Sequence, residues 1–222
     1  MTITHHPSDE TLAAFASGTL DAGRAVVVAT HVCLCPRCRH AMQALEHIGG
    51  ALLEAAAPTA MSPGALDRAV AQVAGVTPSE DLAPRVATPA ASASTEEPSD
   101  ELPSPLRHYA LGRWRRVGGG LLTRPVDVPH DGDVRVFLLK GGPGTRLLQH
   151  RHSGTEWTCV IHGAYRDERR RYGPGDFDEV DESIEHYQVV EDGGPCVAVV
   201  AMQGDIKLQG FIGRLLRPFI RI

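Results

Sequence analysis

Between residues 76 and 105 the chain carries six prolines (Pro78, Pro84, Pro89, Pro98, Pro103 and Pro105) among alanine, serine, threonine and acidic residues. Almost nothing there is large and apolar, so the run cannot bury enough surface to offset the entropy of ordering it. It predicts a flexible, partly extended linker, and so long a structureless stretch is uncommon inside one compact domain. The 222 residues therefore divide into residues 1–75, 76–105 and 106–222. Either flank is long enough for a core of its own.

The two flanks follow different periods. Upstream, Ser8 is placed to cap a helix with Asp9 and Glu10 in its first turn, Leu12, Phe15 and Ala16 on one face, and Gly18 as its stop. Asp21 caps a second helix over residues 25–31. Pro36 opens a third through Met42, Leu45, Ile48, Leu52 and Leu53, with Gly49-Gly50 as its weak point. A fourth runs from Ser62 through Leu66, Ala69, Val70 and Val73. Downstream, β-formers occupy residues 134–139, 157–161, 184–190 and 196–202, separated by Gly/Pro clusters at 118–120, 141–144, 173–175 and 192–195. That spacing predicts an all-β sandwich or barrel. The fold class is α + β multidomain: a small N-terminal helical bundle, then an all-β domain.

Each flank holds its own set of metal-ligand side chains. The run His31-Val32-Cys33-Leu34-Cys35-Pro36-Arg37-Cys38 reads as H-x3-C-x2-C, an imidazole and two thiolates within eight residues. Imidazole with thiolate is the donor set of four-coordinate zinc. A C-x2-C turn also serves as a redox dithiol, but no thioredoxin-like strand precedes it and the histidine favours metal. The fourth ligand comes from His5 or His6. Cys33 is two residues from both His31 and Cys35, roughly opposite them on a helix, and is read as a helix-face residue or a substitute thiol. Cys159 and Cys196, alone in apolar runs, are read as buried small hydrophobes.

The second set is Gly144-x5-His150-x-His152-x3-Glu156-x6-Gly163. Side chains alternate along a strand, so His150 and His152 share a face, and Glu156 opens the next strand at the same mouth. His186, after Gly175-Asp176, is expected from a strand lying opposite. Three imidazoles and a carboxylate suit zinc, iron, manganese or nickel without choosing among them. His130 and His162 fall outside this spacing and are read as surface or neighbouring residues.

These motifs carry a resemblance. The second set matches the first cupin motif at every spacing, which implies a cupin jelly-roll barrel (a double-stranded β-helix). The second cupin motif is looser: Gly-Asp is present, but the usual Pro-x-Gly before the histidine and the Asn after it are absent. His6 with His31-x3-Cys35-x2-Cys38 on short helices resembles the zinc-containing anti-sigma domain. The chain as a whole resembles the ChrR-type anti-sigma factors, whose partner is a group-four, extracytoplasmic-function-type sigma factor of the singlet-oxygen response. The resemblance implies zinc on His6, His31, Cys35 and Cys38, a sigma-binding surface on the helices, and a cupin that senses singlet oxygen or organic peroxide through zinc or another divalent metal. Cys33 is an addition to the family motif.

Two functions of different classes follow: an anti-sigma factor, or a mononuclear metal cupin enzyme (dioxygenase or isomerase) with a zinc-stabilised helical appendage. A thiolate site joined through a long linker suits a repressor with a separate sensor better than it suits an appendage. The formal charge of −5 argues against direct nucleic-acid binding. The acids concentrate in the middle, where residues 76–105 carry six acids and one base. No secretory signal or apolar stretch of about 20 residues is visible, so a cytoplasmic protein without a membrane anchor is expected, with reduced cysteines.

Overall fold

The computed structural model describes residues 2–75, 102–129, 133–168 and 170–208. The predicted linker lies mostly outside the described residues, as does His130. Four α-helices come first: α1 (Asp9–Ala16), α2 (Ala22–Leu34), α3 (Pro36–Ala55) and α4 (Ala65–Gly75). The Ser8 side chain caps α1 by accepting from Thr11 N–H, and Asp21 caps α2 by accepting from Arg24 N–H. Cys35 sits in extended backbone between α2 and Pro36 at the start of α3. Gly49-Gly50 does not break α3, which runs on through both.

Twelve strands follow a 3-10 turn at Ser104–Leu106: β1 (Ala110–Leu111), β2 (Arg115–Gly118), β3 (Leu121–Asp127), β4 (Val134–Gly141), β5 (Arg146–His152), β6 (Glu156–His162), β7 (Tyr165–Arg166), β8 (Arg171–Tyr172), β9 (Phe177–Val180), β10 (Glu185–Val190), β11 (Cys196–Gln203) and β12 (Ile206–Leu208). One antiparallel sheet has the order β1-β3-β4-β11-β6-β9 with β2 also on β3; the other runs β12-β5-β10-β7-β8. The sheets face each other across two small clusters, Val160, Tyr165, Tyr172, Val190 and Cys196, then Phe137, Val200 and Met202. This is the jelly-roll expected of a cupin. Several strands were hidden from the pattern, β3 by its Pro125 and β7 to β9 by their shortness.

The largest core lies outside the barrel. It joins Leu12, Val26, Val27, Val28 and Met42 of the helices to Val136, Leu138, Cys159, Ile161, Phe177, Val199 and Ala201 of the larger sheet. Helix α2 packs on β4, β6 and β11. At its start the backbones close in, since a Cβ on Gly23 would meet Val134 Cγ1 at 2.7 Å. Leu102 of the predicted linker packs against this core as well, and Leu106, the first residue of the predicted β half, is fully buried in it. Helical and β parts thus share one apolar interior.

Candidate metal centres

The thiolate centre forms where α2 gives way to α3. The helix break at Cys35 turns its side chain and that of Cys38, on the first turn of α3, toward His31 on the last turn of α2. The N-terminal segment supplies His6. His6 Nδ1 lies 3.4 Å from both Cys35 Sγ and Cys38 Sγ, and His31 Nε2 lies 3.2 Å from Cys38 Sγ. All four donor atoms lie within 4.8 Å of one another. A tetrahedral ion at about 2.0–2.3 Å from nitrogen and sulfur spreads its ligands by roughly 3.3–3.7 Å, so the spacing fits. Burial lowers the His31 pKa to about 4 and raises the Cys38 thiol to about 12, where Cys35 adds to the effect. Such groups stay neutral until a cation offsets the cost of ionising the thiols.

His5 and Cys33 stand apart from this set. His5 points the other way along the extended N-terminal segment, its ring 4.6 Å from that of Tyr172. Cys33 is half-buried, its Sγ 3.5 Å from Ser104 Oγ. Cys159 and Cys196 are buried, as read.

The second centre lies between the sheets. His150 and His152 project inward from β5 while Arg151 between them faces out to pair with Glu185 at 3.0 Å. His186 comes from β10, the immediate neighbour of β5, directly paired with His150. It is therefore a cross-strand partner and not a residue from an opposite strand; hydrogen-bond register decided this, and spacing along the chain carries no register. The Nε2 atoms of His152 and His150 each lie 3.1 Å from His186 Nε2. Three imidazole nitrogens facing one another this closely fit a shared cation. His152 Nδ1 is buried without a hydrogen-bond partner among the described residues. Burial lowers both the His152 and His186 pKa values to about 4, leaving neutral imidazoles with free lone pairs.

Glu156 is the carboxylate that comes from across the barrel, at the start of β6. Its Oε2 is 3.6 Å from His152 Nε2, at the edge of the trio. Burial raises its pKa to about 7, against the pull of His150. Behind it lies a cavity of about 30 Å³, room for roughly one water, lined in part by Thr158, Tyr165, Gln188 and Cys196. His162 is exposed and belongs to neither centre.

Two sets of residues escaped sequence reasoning. Arg24 on α2 donates to Thr155 Oγ1 at 2.5 Å and Gln203 Oε1 at 2.6 Å and lies over the Trp157 ring, clamping the helix beside Glu156. The turn before β9 grips the N-terminus: Asp176 Oδ1 accepts from Thr4 N–H at 2.7 Å and His5 N–H at 2.9 Å, and Gly175 O lies 2.7 Å from His31 Nδ1. Burial alone would raise the Asp176 pKa; the N–H groups of Gly173, His5 and Thr4 outweigh it and lower it. A signal that the helices dock on this sheet existed in β11, whose apolar run leaves no polar face for solvent.

Residues 106–204 match the family described as ChrR Cupin-like domain. The Anti-sigma-E factor ChrR of Cereibacter sphaeroides is 37% identical over 222 residues, covering 100% of both chains. A crystal structure of Rhodobacter sphaeroides SigE in complex with the anti-sigma ChrR matches 91% of this chain and 100% of that one, at 36% identity and a TM-score of 0.70. Likeness at that level over the whole length means that the chain belongs to the ChrR family of anti-sigma factors.

Proposed function

We propose that this protein holds an extracytoplasmic-function-type (group four) sigma factor inactive through residues 1–75, and that its β half is the metal-dependent sensor that ends the inhibition. The carrying observation is an apolar helical surface left uncovered. Ile48, Leu52 and Leu53 on the end of α3, Met61, and Leu66, Val70 and Val73 on α4 are 57–78% exposed. Leu66, Val70 and Val73 recur at i, i+4 and i+7, the spacing of a helix that enters a partner's groove. Exposed apolar patches of this size mark interaction sites. The related crystal structure pairs a family member with SigE, which supports a sigma factor as the occupant.

In this reading His6, His31, Cys35 and Cys38 hold a structural zinc with no open position, and residues 1–75, 76–105 and 106–222 act as binding domain, linker and cupin domain. His150, His152, His186 and Glu156 hold zinc or another divalent transition metal that keeps an exchangeable position. Singlet oxygen or organic peroxide acts there, on one state of the protein in preference to the other, and so shifts the complex apart. The protein works in the cytoplasm without touching nucleic acid; among the described residues no helix is long and apolar enough to cross a membrane. The relative's regulatory name favours this reading over a cupin enzyme.

Co-expression of the tagged chain with a sigma factor encoded beside it tests the proposal. A one-to-one complex is expected, and the double variant Leu52→Asp, Val70→Asp should bind at least about tenfold more weakly with metal content unchanged. Full affinity in that variant would move the interface elsewhere.

A further inference from the structure

The thiolate centre is not built by the helices alone. Its ligand His6 follows two residues, Thr4 and His5, whose main-chain N–H groups both donate to Asp176 Oδ1, with Thr4 Oγ1 adding a third bond at 3.3 Å. The other oxygen of that carboxylate accepts from Gly173 N–H at 2.8 Å, so the turn itself fixes the Asp176 side chain. Phe177 N–H donates to His5 O at 3.1 Å, which adds residues 4–6 as a short extended rung beside β9. A second ligand is oriented by the same turn. The Gly175 carbonyl accepts from His31 Nδ1 at 2.7 Å, which directs the Nε2 lone pair toward Cys38. The Phe177 ring meets His31 edge-on at 5.6 Å. Gly175 has φ +87°, and a Cβ there would collide with Ile3, so only glycine lets the N-terminal segment lie this close.

We infer that the Gly173–Phe177 turn of the β half is an outer shell of the N-terminal metal centre, with Asp176 the positioning residue for His6 and Gly175 the orienting acceptor for His31. Neither touches the ion. They determine how firmly two of its four ligands are held, and partners of this kind typically govern metal affinity by about 10–100-fold. The turn leads directly into β9, which pairs with β6, the strand that opens with Glu156. The shell is therefore contiguous with the second metal centre. This inference rests on the reading that the thiolate cluster holds a metal.

The test uses the full chain loaded with zinc, and release to a chromogenic chelator is followed in time. The variants Cys35→Ala and His150→Ala, each missing one centre, assign the kinetic phases. Asp176→Ala should speed release from the thiolate centre by about tenfold or more and leave the imidazole phase within twofold. Asp176→Asn keeps an oxygen acceptor and should fall between the two. In the cobalt form, Asp176→Ala should also alter the thiolate-to-cobalt charge-transfer band. An unchanged thiolate phase, or equal acceleration of both phases, would overturn the inference. Should Asp176→Ala fail to fold, Thr4→Pro removes one donor at the exposed side of the same contact and is judged by the same criteria. A wild-type protein with no metal on the cysteines would instead refute the underlying reading, and metal analysis of the unmutated chain distinguishes the two failures.

Discussion

Buried thiols and imidazoles have little reason to face one another unless something charged joins them. Cys35 and Cys38 are 1% and 2% exposed and His31 is fully buried. With a cation the cluster becomes the strongest crosslink in the helical half; without one it leaves polar groups in an apolar core. Cys38→Ala should therefore lose one equivalent of zinc per chain and sigma-factor binding together, read by metal analysis and pull-down. Retained binding without zinc would separate the centre from the interface. Arg24 is a different kind of residue, joining Asp21, Thr155, Gln203 and the Trp157 ring from a half-buried position. Arg24→Ala should cost on the order of 1–3 kcal/mol in urea unfolding, because several acceptors lose a charged donor at once.

Two helices show how packing decides the effect of a glycine. In α2 the Gly23 Cβ position lies 2.7 Å from Val134 Cγ1 and 3.1 Å from Val136 Cγ2, both on stiff branched side chains of β4. Gly23→Val should wedge the helix off the sheet at a cost of about 1–3 kcal/mol. Gly49 and Gly50 in α3 have nothing within 4 Å of a Cβ. Replacing either with alanine should raise stability by about 0.4–1 kcal/mol, since only backbone freedom changes. Equal effects at all three positions would mean that α2 does not rest on the sheet. The same contrast governs the strands: β11 is apolar on both faces because one lines the barrel and the other carries α2, whereas β6 is apolar only on its outer face, through Trp157, Cys159 and Ile161, and turns Glu156 and Thr158 into the barrel.

For the molecule as a whole, sensing and binding are expected to be separable by mutation although the core is shared. His150→Ala should leave repression intact and blunt release under singlet oxygen or organic peroxide, measured with a sigma-dependent reporter. Wild-type induction in that strain would assign sensing to the cysteines, the softer chemical target. Much of this organisation was legible along the chain. Caps at Ser8 and Asp21, Pro36 at a helix start, the H-x3-C-x2-C spacing and the His150/His152 alternation are local, and local geometry follows from covalent spacing and helix or strand period. What tertiary structure alone decided is non-local. His186 lies beside His150 through strand register, and His31 meets Gly175 across 144 residues of chain. Period and spacing determine which way a side chain faces on its own element. Which element lies opposite depends on the packing of whole apolar faces, and here that packing placed the helical His/Cys cluster against the β barrel.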